Sequence, residues 1–353
     1  MSGNSFGRVL VLTTFGESHG KAVGGILDGL PSRLEIDTDF IQSELNRRKP
    51  GNFEYDSPRK EEDQIEILSG IFEGRSTGAP IAFLVYNKDH RPADYHHLKD
   101  VFRPSHADYT YHQKYGIYDH RGGGRASARE TLARVAGGAF AKLFLRTRNI
   151  QVNARISQIG PHQVKDSDST SPEASVSQSI IQDENIRRFL EQLRETGDTC
   201  GGIVKCSITG VPPGLGEPVF DKLQADLAKA MMSINAVKGF EYGSGFRSAS
   251  MKGSESNDLF VSEGNAISTL TNHSGGIQGG ISNGQPITFS LAFKPVSTLM
   301  RTQETVNVAG NQVKLEGKGR HDICVVPRAL PIVEAMAALV IADHILRNTT
   351  HFK

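Results

Sequence analysis

Three shortages narrow what this 353-residue chain can do: net charge, cysteine and long apolar runs. Lysine and arginine number 40 against 39 acidic residues, a formal balance of +1. A protein whose principal partner is nucleic acid carries a clear basic excess, so the balance argues against that partner. Cys200, Cys206 and Cys324 are odd in number and form no C-x-x-C pair, which fits a reducing cytosol and not a disulfide framework. The most apolar segment, 333–346, contains Glu334 and Asp343 and is shorter than the roughly 20 residues of a membrane-spanning helix. No secretory signal precedes the first strand-like run, so the expectation is a soluble, cytoplasmic protein with no membrane partner.

Several cofactor motifs are lacking too. Gly317-Lys318 has no glycine five residues earlier and is followed by Gly319, so there is no Walker A loop. No G-x-G-x-x-G opens a β-α-β unit near the start, which leaves a Rossmann site without support. The histidines of 90–125 have neither zinc spacing nor cysteine company, so no metal site is expected.

Glycine, by contrast, is abundant, at 37 residues. The richest stretch for chemistry is 120–134, where Gly122-Gly123-Gly124 leads into Arg125-Ala126-Ser127-Ala128-Arg129-Glu130. Ser127 and Glu130 have capping-box spacing, and Leu132, Val135, Ala136, Ala139, Phe140, Leu143 and Phe144 recur at helical intervals on one face. A helix N-terminus aimed at a glycine loop, with Arg121, Arg125, Arg129 and Arg134 around it, is suited to an anion.

Elsewhere the chain reads as a strand at 8–15, a helix at 39–47 capped by Thr38 or Asp39, a polar mobile loop at 52–62, and strands at 64–68 and 81–86. Residues 90–125 hold six of the twelve histidines, a composition typical of a functional loop. A disordered insertion is expected at 166–179, helices at 185–194, 220–234 and 329–347, strands at 202–209 and 286–293, and a small polar flap at 244–257. A two-residue hairpin turn is expected at Gly310-Asn311. Hairpin signals mixed with helices indicate α+β, and no linker divides the chain, so residues 1–353 read as one domain.

Gly16-Glu17-Ser18-His19-Gly20 fits the nucleophile-elbow pattern of serine hydrolases. Against this, the candidate oxyanion loop at 120–124 follows the elbow where it should precede it. Without further information the residues fit a small phosphorylated, acidic substrate with a phosphorylated cofactor.

Four motifs in order carry a family resemblance: Gly16-Glu17-Ser18-His19-Gly20, Phe102-Arg103-Pro104-Ser105-His106-Ala107-Asp108, the segment 121–131, and Gly319-Arg320-His321-Asp322. Together, and in register from 4 to about 346, they resemble chorismate synthase. The resemblance implies anti-1,4-elimination of phosphate and the C6 hydrogen from 5-enolpyruvylshikimate 3-phosphate, giving chorismate, the last common step of the shikimate pathway. It implies reduced FMN as cofactor, helices sandwiched between two antiparallel β-sheets, and a homotetramer. It assigns His19, His106 and Asp322 to catalysis, with His106 protonating the reduced flavin. Substrate contacts fall on Arg48, Arg103, Ser127, Arg129, Arg134 and Arg320. Flavin contacts fall on Arg125, Ala126, Ser127, Asn235, Ala236, Gly279, Lys294, Pro295, Val296, Ser297, Thr298 and Arg320. Two positions depart from the pattern: Ala126 replaces a frequent serine, and Glu54 stands where many members are basic. With no reductase domain recognised, an external flavin reductase or reductant is the expected source of reduced FMN.

Overall fold

In the computed structural model, two five-stranded antiparallel sheets face each other across a layer of helices. Residues 3–57, 62–88, 98–117, 119–164, 183–264, 266–317 and 321–348 are described. The first sheet comprises β1 (Ser5–Phe6), β2 (Val11–Gly16), β3 (Ala22–Asp28), β4 (Glu66–Ile67) and β5 (Ile81–Tyr86), in the order β1-β2-β3-β5-β4. The second comprises β6 (Gln151–Ile159), β7 (His162–Gln163), β8 (Gly202–Thr209), β9 (Val237–Tyr242) and β10 (Ile287–Phe293), in the order β9-β10-β8-β6-β7. Burial alternates as a one-sided sheet requires: Ile81, Phe83 and Val85 point inward from β5, and Ile287, Phe289, Leu291 and Phe293 from β10.

Among the helices are α1 (Thr38–Arg48), α2 (Asp108–Tyr115), α3 (Thr131–Arg146), α4 (Glu184–Thr196), α5 (Leu223–Met232) and α6 (Val326–Asn348). α3 lies on β2 and β3, α6 lies on β6 and β8, and the two helices pack on each other with α1 against both. Adjacent glycines permit this. A Cβ on Gly137 would press on the side chain of Leu12 in β2, and one on Gly138 would overlap the backbone and Cβ of Ala335 in α6. One glycine thus lets α3 approach the sheet and the other lets it approach its partner helix.

Being covered on both sides, α3 is buried nearly all round, where the sequence indicated a single apolar face. The same holds for α6, which is long and apolar enough to span a membrane but lies inside the fold.

Other expectations need correcting. The α1 cap is Asp37, whose carboxylate accepts from Phe40 N at 2.9 Å, and not Thr38 or Asp39. Ser127 does cap, taking a hydrogen bond from Arg129 N, but it caps a 3-10 turn. No capping box forms there, because the Glu130 carboxylate is held by Thr14 and Arg134. The strand expected at 8–15 is β2 and begins only at Val11, since Asp343 Oδ1 accepts the amides of Arg8, Val9 and Leu10 and bends the chain before it. α5 starts only at Leu223, leaving Phe220 exposed.

The hairpin pairing Gln303–Val306 with Gln312–Leu315 has a five-residue connection, organised by Asn307 Oδ1 accepting from Ala309 N and Asn311 N. The 244–257 flap contains a 3-10 helix (Gly245–Ser250) and a helical turn (Gly253–Ser256). The described start of the expected polar loop, 52–57, is packed, with Phe53, Tyr55 and Ser57 buried. The 166–179 insertion lies outside the described residues.

Candidate active site

The turn between β2 and β3 presents Ser18 and His19 to a cleft of about 1230 Å³. Asn87, just after β5, secures this turn by donating from Nδ2 to the carbonyls of Glu17 (3.0 Å) and Gly20 (2.9 Å). Ser18 Oγ donates to Gly122 O at 3.0 Å, so toward His19 Nδ1, 3.1 Å away, it acts as acceptor. That proton placement, and a strand that turns back into a strand instead of entering a helix, remove the nucleophile-elbow reading.

Gly122, Gly123 and Gly124 all have positive φ (68°, 83° and 54°). At Gly122 the missing Cβ is required twice over, because one built there would overlap the His19 imidazole and lie 2.9 Å from Ser18 Oγ. The chain then winds through two 3-10 turns into α3, bringing Ala126, Ser127, Ala128 and Arg129 to the cleft wall.

Three of the expected arginines line the same cleft, and each is held by a carboxylate. Asp63 receives Arg48 at 3.1 Å and Arg129 at 2.7 Å. Burial alone would raise Asp63, but these two guanidiniums leave it below the ordinary carboxylate range. Arg129 Nε also donates to Asn87 Oδ1 at 3.0 Å, joining the arginine cluster to the turn that carries His19. Arg103 forms two bonds of 2.7 Å to Asp108 at the start of α2.

His106 stands nearby with Nδ1 2.9 Å from Pro104 O and Nε2 3.1 Å from Thr298 Oγ1. A carbonyl can only accept, so Nδ1 carries the hydrogen and Nε2 accepts from the threonine. Burial, and then the charge of Arg103, push the ring down to about 4, so the imidazole is neutral at neutral pH.

The 294–298 loop, Asn235 and Ala236 also line the cleft. Ser105 and Ala236 both adopt left-handed φ (59° and 68°), a conformation costly for non-glycine residues. The carbonyls concerned brace this loop: Ser105 O accepts from Lys294 Nζ (3.3 Å) and Ser297 Oγ (3.2 Å), and Ala236 O accepts from Lys294 N (2.9 Å). Burial and Lys238 lower Lys294. Asn235 donates from Nδ2 to Ala126 O at 3.0 Å, while its buried Oδ1 has no hydrogen-bond partner.

Asp322 closes one end, with Oδ1 accepting from Ser57 N (2.8 Å) and Oδ2 from Arg328 (2.7 Å). His19, His106, Asp322, Arg48, Arg103, Arg129, Ser127, Ala126, Asn235, Ala236 and residues 294–298 therefore share one cleft.

Three expected residues lie outside this lining. Arg134 pairs with Glu130 (2.9 Å) and donates to Ser233 Oγ (2.8 Å). Arg125 donates to Thr14 Oγ1 (2.7 Å) and Gly16 O (3.1 Å). Gly279 belongs to the turn joining Ile277–Gln278 to Ile281–Ser282. Arg320 is outside the described residues. Glu54 faces a smaller neighbouring cavity and not the main cleft.

Asp63, Asn87, Ser57 and Arg328 escaped the sequence reading. Asp63 is the last of three consecutive acids, Asn87 and Ser57 belong to no motif, and Arg328 follows a proline at the start of a helix. Only the fold distinguishes them from polar side chains that simply face water.

The chorismate synthase family model matches residues 10–346. Chorismate synthase of Christiangramia forsetii is 55% identical, with 99% of each chain covered, and that of Cytophaga hutchinsonii is 57% identical, with 98% of each covered. A solved structure described as chorismate synthase superposes with a TM-score of 0.76 at 32% identity, covering 97% of this chain and 93% of that one. The two-sheet architecture and the order of motifs leading into this cleft thus have a common explanation: the chain belongs to the chorismate synthase family.

Proposed function

We propose that the protein eliminates phosphate and the C6 hydrogen from 5-enolpyruvylshikimate 3-phosphate to give chorismate, with reduced FMN bound in the same cleft. The observation that carries this reading is the convergence of Arg48, Arg103 and Arg129 with His19, His106, Asp322 and the 294–298 loop in one cleft. A substrate bearing one phosphate and two carboxylates calls for several oriented guanidiniums, and carboxylate-tethered arginines are already oriented.

The residues also suit a flavin. Asn235 Oδ1 is a buried acceptor awaiting an N–H donor, and Lys294 supplies a cation on the same wall. Ala126, Ser127, Asn235, Ala236 and 294–298 would hold the ring system and its phosphate. When bound, reduced FMN would lend electron density to the substrate as phosphate leaves with the C–O bond pair, and would accept the C6 proton.

The chain's own groups do the rest. Arg48, Arg103 and Arg129 orient the anions and stabilise charge on the leaving group. His19 is fixed by Ser18 and Gly122 near the substrate. His106, neutral in the free cleft, becomes a proton donor once an anion offsets burial and Arg103. Asp322 is oriented at the cleft wall by Arg328 and Ser57 N, as an acceptor on the proton's path. Arg134, Arg125, Gly279 and Arg320 remain part of the proposal as contacts formed on binding or assembly. We further infer a cytoplasmic homotetramer supplied with reduced FMN by a separate reductase or reductant.

The test is anaerobic mixing of purified protein with 5-enolpyruvylshikimate 3-phosphate and either oxidised or chemically reduced FMN, following phosphate and chorismate together. Equal release of both, with reduced FMN only, supports the reading. Phosphate without chorismate, or release indifferent to flavin, overturns it.

A further inference from the structure

Behind Asp322 lies a second carboxyl that no step above uses. Asp56 belongs to the packed loop after α1, next to Ser57, whose amide donates to Asp322 Oδ1 at 2.8 Å. Its Oδ2 accepts from Gly51 N (3.1 Å) and Phe53 N (3.0 Å), but its Oδ1 is buried with no hydrogen-bond partner. Asp56 and Asp322 line the same small cavity of about 210 Å³, which adjoins the main cleft through Asp322, His321 and Thr298.

Two neighbouring carboxyls there do not have equal claims to a negative charge. Asp322 has Arg328 at 2.7 Å together with a backbone amide. Asp56 has only its loop amides and an oxygen that would be left bare if ionised, which is costly away from water. Burial first, and then the charge of Asp322, raise Asp56 to about 7, with Arg328 and the two amides only partly opposing. The other charged or titratable groups around the cavity are Glu54 and Tyr55 on the same loop, Arg194 of α4, Asp198 just beyond it, and His321.

We propose that Asp56 is a positioning residue that acts through Asp322, carrying the proton of the carboxyl pair so that Asp322 faces the cleft as the carboxylate bound to Arg328. The arrangement is a local charge rule: one proton for two acids, assigned by which of them owns the guanidinium. It rests on the elimination reading only for its catalytic consequence, because the coupling itself belongs to the free protein. Losing the Asp56 proton would place a second negative charge beside Asp322 and loosen the Asp322–Arg328 geometry at the cleft wall.

The experiment is carboxyl 13C NMR of the full-length, ligand-free chain labelled at aspartate, with Asp56→Asn and Asp322→Asn used for assignment. Wild type should show one aspartate titrating near neutral pH, absent in Asp56→Asn. In Asp322→Asn the Asp56 midpoint should fall by about one pH unit or more. An Asp56 midpoint in the ordinary range, or one unmoved in Asp322→Asn, overturns the proposal. Should Asp56→Asn fail to fold, the shift in Asp322→Asn reads the same coupling from the other side.

Turnover with supplied reduced FMN separates the two readings. The proposal predicts that kcat of wild type changes with an inflection near neutral pH that Asp56→Asn loses, with KM little altered. An unchanged profile in Asp56→Asn beside an inactive Asp322→Asn sinks the Asp56 role and spares the elimination reading. Full turnover in Asp322→Asn sinks the role given to Asp322 in elimination, while the NMR midpoints still decide the coupling.

Discussion

Lys142 of α3 and Glu334 of α6 form an ion pair of 2.6 Å in the helical layer between the sheets, both nearly inaccessible to water. Arg47 of α1 joins them through two bonds to Glu334 of 2.6 and 3.0 Å, Glu44 bonds both cations, and Ala154 N of β6 donates to Glu334 Oε1. Two positive and two negative charges thus tie three helices to the second sheet. Removing one member strands the others in a low-dielectric interior, so Glu334→Ala should cost about 3–5 kcal/mol. Urea unfolding measures this; a loss below about 1 kcal/mol would mean that water or repacking replaces the carboxylate.

The same network makes stability depend on acid. Burial alone would raise Glu334, but Lys142 and Arg47 bring it down from 4.5 to about 2 in the folded protein. A carboxyl depressed in the folded state contributes fully above its unfolded value and loses that contribution as pH falls toward the folded one. Stability should therefore decline from about pH 4.5 toward 2, with a smaller slope in Glu334→Gln. Equal slopes in thermal melts across that window would assign the acid sensitivity to other carboxyls.

How much could be read beforehand depended on whether a signal was local. The strand at 202–209 is legible with its ends because apolar Val204, Cys206 and Ile208 alternate with Lys205 and Ser207 between turns, and the structure buries those three. At 52–57 the polar Asn52, Glu54 and Asp56 outweigh Phe53 and Tyr55 in composition, although the two buried aromatics decide where the segment packs. In the cleft, Arg129 and His106 belong to recognisable motifs. Asp63 and Asn87 matter through partners 66 and 42 positions away, and no local pattern marks that.

Gly122 gives a sharper test of the site. Alanine there must adopt φ near 68° and would push its Cβ into the His19 ring. The backbone cost is about 1–2 kcal/mol, tolerable for the fold. Turnover should fall by about tenfold or more, because a displaced imidazole loses its alignment. A folded Gly122→Ala protein with wild-type kcat would dissociate His19 orientation from catalysis.

His106 should respond to ligand. Its ring titrates at about 4 in the free cleft because of burial and Arg103, and a bound phosphate would oppose both effects. Histidine NMR should show the midpoint moving upward when inorganic phosphate is added, and His106→Ala should lower turnover by about a hundredfold. A midpoint unmoved by phosphate would place the anion away from this ring.

Asp63 poses a contest between charge and geometry. It neutralises part of the field of Arg48 and Arg129, yet it also fixes where both guanidiniums point. In Asp63→Asn the local charge becomes more positive by one, which favours any anion in the cleft, while the two arginines lose the carboxylate that aligns them. Inorganic phosphate needs attraction more than orientation, so it should bind several-fold more tightly to the variant. Elimination needs the anions held in a reactive pose, so kcat should fall by about tenfold or more. Calorimetry of phosphate binding and steady-state kinetics read the two effects separately. Weaker phosphate binding with unchanged kcat would show that Asp63 supports the arginines as folded structure only, and that their alignment comes from Asn87 and the rest of the wall.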